Sequence, residues 1–245
     1  MYARLLLLTV LCFSFALNAY PLRFAVYEPG FPPFIFIDDQ QKDITGIVPE
    51  LLTAFSQQQQ ITIEYVMDNR KGGEQRLYEG NVDAMLISPQ WAKHADQLVF
   101  SNAILPYDDY LFHLASAAPK ALSGGRSVCT RQYYVYPTLE PHFAAGTLLR
   151  IDASSQHAQL KMLANARCDY AYLNELVAHW LVARYFPDLQ LTSISDFKAS
   201  TSLQIALHPN WRKHLPALNQ FIGEKQKSGE LKAIVEGFVF MESEQ

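Results

Sequence analysis

The pattern of apolar and polar positions begins with a short apolar run, Leu22–Tyr27, which has the length and the aromatic and β-branched content of a buried strand. A turn at 28–30 ends it, because Pro fixes φ and lacks an N–H donor while Gly reaches conformations that other residues avoid. A second short strand ends near Ile37. After Gly46 a helix begins with Pro49 in its first turn, where a missing N–H costs nothing.

The same alternation of strand and helix continues to the end of the chain. We predict further strands at 61–66, 82–88, 126–130, 147–151, 169–173 and 203–207, and an extended connector at 98–112. We predict further helices at 74–78, 154–166 with Ser154 as N-cap, 175–185, 211–227 and 230–237. This order predicts an α/β fold in which helices connect parallel strands.

Polar and aromatic residues stand where the predicted strands end. In α/β sheets, ligands gather outside the carboxyl ends of the strands. From the first half of the chain we therefore predict a binding wall made of Tyr27, Glu28, Phe31, Ser88, Gln90 and Trp91. Glu28 is either a ligand contact or a solvated turn residue, and Trp91 either covers the ligand or packs beneath its loop.

The first nineteen residues have the pattern of a secretory signal peptide. Arg4 gives a positive start, Leu5–Leu17 is almost unbroken in its apolar character, and Ala19 precedes a cleavage position, with Ala16 as the competing position. The segment is too short to span a bilayer. Cys12 follows Leu11, where a lipoprotein signal has a small residue, so we assign Cys12 to the signal peptide. In a bacterium this signal predicts a periplasmic protein.

Charge and composition exclude several function classes. Without Arg4 the exported chain has 19 basic and 24 acidic residues, which is no footprint for nucleic acid. No later window approaches the roughly 20 apolar residues of a spanning helix. The seven His residues show no ligand spacing, and the chain has no Gly-rich phosphate loop and no Gly-x-Ser-x-Gly motif, so we predict no metal site and no cofactor. Cys129 and Cys168 are either a disulfide of an oxidising compartment or two small buried hydrophobes.

Short motifs along nearly the whole exported chain carry a family resemblance. They are Phe31-Pro32-Pro33-Phe34, Gly46 with Pro49-Glu50-Leu51, 77–84, Phe100-Ser101, Pro106-Tyr107, Leu122-Ser123-Gly124, 166–171 and Ser228-Gly229-Glu230-Leu231. Their order and spacing resemble the polar amino-acid-binding type of the bacterial extracellular solute-binding proteins, family 3. That family has the type II periplasmic-binding-protein fold, which is α/β and two-lobed with two crossover strands.

The resemblance implies a domain organisation and a function. Lobe 1 would comprise 20–112 plus 205–245 and lobe 2 would comprise 113–204, with one ligand in the cleft and hinge closure around it. The implied function is capture of a small polar ligand, anionic or aromatic, for an ABC importer or a membrane sensor. We expect a monomer that is not an enzyme.

The resemblance also places candidate residues in the second lobe. Arg131 would face the cleft and bind an anionic group, although an outward Arg with its head in water is the alternative. Tyr133 adds to an aromatic edge. Where relatives carry an Arg for the ligand carboxylate this chain has His94 or Lys93, and where they carry an Asp for the ammonium it has Asn174. Both changes argue against a standard α-amino acid as the ligand.

Two other functions fit the same fold. Some relatives are periplasmic dehydratases that act on cyclohexadienyl substrates, and this chemistry needs a general acid, for which Glu28 and Glu175 are the best placed acidic residues. The other alternative is a degenerate domain that binds no ligand. Fold alone does not decide among these functions.

Overall fold

A computed structural model describes residues 21–38, 40, 42–117 and 124–239. The predicted signal peptide lies outside the described residues, as do Leu122 and Ser123 of one family motif. In the part of the chain that the structure describes, no helix has the length and apolar character needed to cross a membrane.

Strands and helices alternate along the described chain, as the residue pattern predicts. The strands are β1 (Leu22–Tyr27), β2 (Phe36–Ile37), β3 (Ile44–Thr45), β4 (Ile63–Asp68), β5 (Ala84–Leu86), β6 (Val99–Phe100), β7 (Leu105–Leu114), β8 (Arg126–Arg131), β9 (Leu148–Ala153), β10 (Tyr170–Asn174), β11 (Leu191–Leu203) and β12 (Ile205–Leu207). The helices are α1 (Ile47–Gln59), α2 (Arg70–Tyr78), α3 (Glu140–Ala144), α4 (Gln156–Ala164), α5 (Glu175–Tyr185), α6 (Leu215–Ser228) and α7 (Glu230–Val239). Short 3₁₀ helices lie at Pro89–Trp91, Ala95–Gln97 and Pro209–His214.

The first sheet has the strand order β4-β1-β5-β12-β6. The central strand β1 runs parallel to both β4 and β5, whereas β12 is antiparallel to β5 and β6. Almost every side chain of β1 is buried, because helices and loops cover both faces of a parallel sheet. Its carboxyl end therefore delivers Tyr27 directly into the aromatic turn that follows.

The second sheet has the strand order β11-β7-β10-β8-β9. Its β8 is parallel to β9 and β10, and β7 is antiparallel to β10 and β11. A disulfide joins Cys129 of β8 to Cys168, which precedes the neighbouring strand β10. The Cα atoms of the pair are 5.8 Å apart, and both residues are buried. Of the two alternatives left by the sequence, the structure shows the disulfide.

The chain crosses from one sheet to the other at two places. The first lies between β6 and β7, and the second lies between β11 and β12. Because β7 and β11 pair with each other, the two crossings lie side by side, as in a hinge between two lobes. The mixed α/β, two-lobed fold is therefore confirmed, while the boundaries 20–112, 113–204 and 205–245 stay predictions.

Three local predictions from the sequence were wrong. Helix α2 begins at Arg70 rather than at Glu74, because the side chain of Asn69 accepts the N–H of Gly72 and starts the helix earlier. The N-cap of α4 is Ser155 rather than Ser154; its Oγ accepts the N–H of Ala158 at 3.0 Å. Strand β11 was missed because its Ser- and Thr-rich sequence has no apolar alternation.

Candidate functional site

Between the two sheets lies a small cavity of about 20 Å³, which we call the inner cavity. Both sheets and the first crossing strand contribute to its wall: Tyr27, Phe31, Arg70, Trp91, Tyr107, Asp109, Tyr134, Val135, Tyr136, Gln156, Gln159, Tyr172, Leu173 and Asn174. A volume of this size holds about one water molecule. The cleft is therefore closed, and aromatic side chains of the protein fill most of it.

The first wall of the cleft is the aromatic turn around Phe31. The carbonyl of Phe31 accepts the N–H groups of Phe34 and Ile35 at 2.9 and 3.0 Å, so the chain reverses tightly and directs the ring inward. The ring stacks on Tyr27 with centroids 5.5 Å apart and lies 6.0 Å from the ring of Tyr107. Rings in offset or edge contact at these separations stabilise one another beyond their burial.

Tyr134 closes the cleft from the opposite wall. Its ring lies edge-on to Tyr27 and Phe31, with centroid distances of 6.0 and 5.9 Å. The preceding residue, Tyr133, has φ of 67°, a left-handed conformation that turns the chain and sends the next side chain inward. The hydroxyl of Tyr134 is buried without a hydrogen-bond partner among the described residues, and burial raises its pKa. The two segments predicted to face each other across a gap do meet.

Arg131 joins the two walls. Its Nη1 donates to the carbonyl of Gly30 at 2.5 Å and to Oε1 of Gln156 at 3.1 Å. The guanidinium also lies 4.8 Å from the centroid of the Tyr134 ring, a cation–π contact. Only 3 % of Arg131 is exposed, so the alternative of an outward Arg with its head in water was wrong. Gly30 has φ of 117°, which favours glycine at this contact.

Arg70 is the basic residue that lines the inner cavity, and sequence reasoning missed it because it lay in a segment predicted to be a loop. Its guanidinium pairs with Glu74 at 3.1 Å, and it donates to the carbonyls of Trp91 at 2.5 Å and Tyr133 at 3.3 Å. The residues expected to replace the family's Arg, Lys93 and His94, are exposed and line no part of this cavity.

The polar floor of the inner cavity consists of Asp109 and Gln159. Asp109 is 8 % exposed, and burial, followed by the negative charge of Asp108, raises its pKa to about 8. Gln159 uses its amide nitrogen to donate to the carbonyls of Cys129 and Tyr172, at 2.8 and 2.7 Å. The amide oxygen of Gln159 is buried with no partner in the described part of the chain.

The predicted site residues divide into three groups. Tyr27, Phe31, Trp91 and Asn174 line the inner cavity. Glu28, Arg131 and Tyr133 line a second cavity of about 200 Å³ that we call the outer cavity. Ser88 and Gln90 line neither. The structure thus brings seven of the nine predicted residues to two neighbouring cavities, which share Arg70 and Tyr134.

Several of these side chains already have hydrogen-bond partners within the fold. The hydroxyl of Tyr27 donates to the carbonyl of Leu86. Asn174 caps α5, since its Oδ1 accepts the N–H of Leu176 at 3.0 Å, and its Nδ2 donates to the carbonyl of Asp108. Ser88 is fully buried, with its Oγ 2.8 Å from Oγ1 of Thr201 on β11. Gln90 is exposed.

The inner cavity also contains residues that the sequence pattern did not single out: Arg70, Tyr107, Asp109, Gln156, Gln159 and Tyr172. One signal could have found Asp109. It and Asp108 are the two acidic residues of an otherwise aromatic and apolar segment, 105–112, where a buried acidic residue is costly unless it has a function or a partner. Gln156 and Gln159 carried no such signal, because Gln is common on the solvent side of helices.

Comparisons with known proteins agree with this geometry. The model of the bacterial extracellular solute-binding proteins, family 3, matches residues 23–241. Among curated proteins, no sequence matches the chain. The fold is similar to the substrate-binding protein of an amino acid ABC transporter, with 17 % identity, a TM-score of 0.75, and coverage of 90 % of this chain and 99 % of that one.

Two further structures are similar over the same length. A histidine kinase sensor domain similar to periplasmic binding proteins has 19 % identity and a TM-score of 0.74, covering 90 % of this chain and 96 % of that one. An amino acid ABC transporter substrate-binding protein from Streptococcus pneumoniae, bound to L-arginine, has 17 % identity and a TM-score of 0.74, covering 90 % and 94 %. At these identities the similarity shows the fold alone.

Proposed function

The chain belongs to the bacterial extracellular solute-binding proteins, family 3, and we propose that it captures a small polar ligand between its two lobes in the periplasm. The observation that carries this proposal is the position of the inner cavity. It lies between two sheets that are joined by paired crossing strands, and both sheets supply its wall. A ligand held there would contact both lobes and would stabilise the closed state.

The composition of the wall supports an aromatic or partly apolar ligand with a few polar groups. Small-molecule sites are lined mainly by apolar and aromatic side chains, with a small number of polar groups that fix orientation. Phe31 and Trp91 would supply the apolar surface. Arg131, at the outer cavity, would supply a cation for an anionic group of the ligand, and Glu28 and Tyr133 flank it there.

The predicted signal peptide supports export to the periplasm. A similar fold serves an ABC transporter in one relative and a histidine kinase sensor in another, so we propose one of these two kinds of membrane partner. We propose binding without turnover. The two acidic residues considered for general acid catalysis, Glu28 and Glu175, are both exposed and lie outside the inner cavity.

A thermal-shift screen of amino acids, organic acids, aromatic acids, amines and short peptides tests the proposal. A ligand that binds only the folded state raises the unfolding temperature by mass action. We expect at least one compound to raise it in a saturable way without being consumed. Consumption of the compound would instead support an enzyme, and a complete absence of shifts would support a domain that binds no ligand.

An Arg131→Ala variant tests the outer cavity. We expect it to weaken an anionic hit by more than tenfold, because a buried guanidinium contact to an anion is removed. Arg167→Ala, which removes an exposed Arg of the same lobe, is the control and should bind like the wild type. Unchanged affinity in Arg131→Ala would remove Arg131 from the site.

A further inference from the structure

The inner cavity contains three polar groups whose hydrogen-bonding capacity the fold leaves unused. The amide oxygen of Gln159 and the hydroxyl of Tyr134 are buried without a hydrogen-bond partner among the described residues. The third is the carboxyl of Asp109, which is 8 % exposed and whose pKa is shifted by burial and by Asp108 alone. All three residues line the same space of about 20 Å³. Buried polar groups in native proteins are normally paired, and unpaired ones call for an explanation. Three such groups around one cavity indicate a binding site.

The orientation of the Gln159 amide is fixed by its partners. Both groups that contact its Nε2 atom are backbone carbonyls, of Cys129 and Tyr172, and carbonyls only accept hydrogen bonds. The NH₂ group must therefore face them. The remaining atom, Oε1, is an acceptor without a donor among the described residues.

Once it ionises, Asp109 is likewise an acceptor without a donor among the described residues. Its neighbour on β7, Asp108, pairs with Lys198 at 2.9 Å and is partly exposed, but neither a cation nor a hydrogen-bond donor of the described chain acts on the Asp109 carboxyl. The basic residues nearest the cavity are engaged elsewhere: Arg70 with Glu74, and Arg131 with Gly30 and Gln156.

We propose that the inner cavity binds the ammonium head of a primary amine, whose three N–H groups donate to Asp109, to Oε1 of Gln159 and to the hydroxyl oxygen of Tyr134. This inference rests on the proposed function and names the ligand class for it. An ammonium group has three donors and no acceptor, which matches the three unused groups. It is also close in size to one water molecule, which matches the cavity.

The surroundings of the cavity favour a cation over the alternatives. The rings of Tyr107, Tyr136 and Tyr172 contribute to its wall, and aromatic faces attract cations. A carboxylate at this position would lie against Asp109 and would be repelled by it. A quaternary ammonium carries the same charge but has no N–H donors and is too large for the space. Arg131 lines the outer cavity, where it would bind another part of the same ligand when its contact with Gly30 opens.

The proposal predicts a characteristic pH dependence, because the ammonium pairs with the ionised form of Asp109. Burial raises the pKa of that carboxyl to about 8. The other charged or titratable groups around it are Tyr107 and Asp108 on β7, Tyr134 and Tyr136 after β8, Tyr172 on β10, and the Arg70–Glu74 pair. The pKa values of the four tyrosines are raised and that of Asp108 is lowered. Neither these tyrosines nor Asp108 therefore change charge between pH 6 and 8.

The experiment compares three probes that differ only in their head group, by isothermal titration calorimetry at pH 8. They are 2-phenylethylamine, 2-phenylethanol, and the N,N,N-trimethyl derivative of the amine. We expect the primary amine to bind at least 30-fold more tightly than the other two. We also expect its affinity to rise by up to tenfold per unit between pH 6 and 8, because the amine stays protonated while Asp109 ionises.

Asp109→Asn should lower the affinity for the amine at least 30-fold and abolish the pH dependence. Asp188→Asn, which removes an exposed carboxyl that lines neither cavity, is the control and should leave both unchanged. Equal affinity for amine and alcohol, or full amine affinity in Asp109→Asn, would overturn the inference. If the variant fails to fold, the pH profile of the wild type decides by itself. Failure of all amines while another solute stabilises the protein would reject the amine site and leave the proposed function standing; failure of every solute would reject both.

Discussion

Replacing Asp109 by asparagine tests whether the carboxyl in the inner cavity opposes folding when it ionises. In the folded protein its pKa is raised from 3.8 to about 8, with burial as the main cause. Between these two values the folded state holds a proton on Asp109 that the unfolded state has released. The folded state is therefore favoured at low pH, and its advantage is lost as the pH rises toward 8.

The size of the effect follows from proton linkage. One proton of difference changes the free energy of unfolding by about 1.4 kcal/mol per pH unit, so this group should lower stability by about 3 kcal/mol between pH 5 and 7. Over the whole interval, from 3.8 to about 8, the limit is roughly 6 kcal/mol. Asparagine has nearly the same shape and does not titrate, so Asp109→Asn should lack this part of the pH dependence.

The assay is urea unfolding at pH 5, 6 and 7, followed by the fluorescence of the three Trp residues. The useful quantity is the difference in free energy of unfolding between variant and wild type, because the titration of all other groups cancels in it. We expect this difference to increase in favour of the variant by about 1.4 kcal/mol per pH unit. The control is Asp188→Asn, which removes an exposed carboxyl outside both cavities and should differ from the wild type by a constant amount. A constant difference between wild type and Asp109→Asn across this range would refute the reasoning.

Two further predictions concern stability. Tyr134→Phe should raise the free energy of unfolding by about 1 kcal/mol, because it removes a buried hydroxyl that has no partner among the described residues. Tyr136→Phe should lower the free energy of unfolding by about 1–2 kcal/mol, because the N–H of Arg131 donates to the Tyr136 hydroxyl oxygen at 2.9 Å and would lose this acceptor. The double variant Cys129→Ala/Cys168→Ala should lose about 4 kcal/mol, the chain-entropy value for a disulfide that closes a loop of this length, with a sequence separation of 39. Urea unfolding of these variants measures the effects. A loss of stability in Tyr134→Phe, a gain in Tyr136→Phe, or a double variant as stable as the wild type would contradict the predictions.

The sequence predicted the architecture well where apolar periodicity was strong. The bounds of β1 and α5 were predicted from the pattern of apolar residues and from proline positions alone. Strand β11 was not predicted, because it is mostly polar and half exposed, and its pairing with β7 stabilises it instead of burial. The local sequence pattern thus shows which elements are stabilised by burial. It does not show which strands are stabilised by pairing with a strand that is distant in the sequence.

The candidate site was predicted in outline and not in its chemistry. The aromatic turn at Phe31 and the segment around Arg131 could be placed at facing strand ends, because parallel strands share an edge. The roles of single polar atoms could not be predicted in the same way. Asn174 caps a helix and Ser88 bonds a neighbouring strand, whereas Gln159 keeps an unused acceptor in the inner cavity. These differences depend on which partners the fold brings within 3 Å of each atom.

The closed cleft constrains how any ligand larger than an ammonium group must enter. Only about 20 Å³ remains free, and Tyr134 occupies the space between the two walls. Entry therefore requires the lobes to separate, which breaks the hydrogen bonds of Arg131 with Gly30 and of Arg70 with the carbonyl of Tyr133. The free energy of binding is then the gain from ligand interactions less the cost of breaking these hydrogen bonds or of displacing Tyr134. The side chains that shape the cavity thus compete with the ligand for the space between the two walls. A variant with a smaller residue at position 134 weakens this competition and should accept larger ligands.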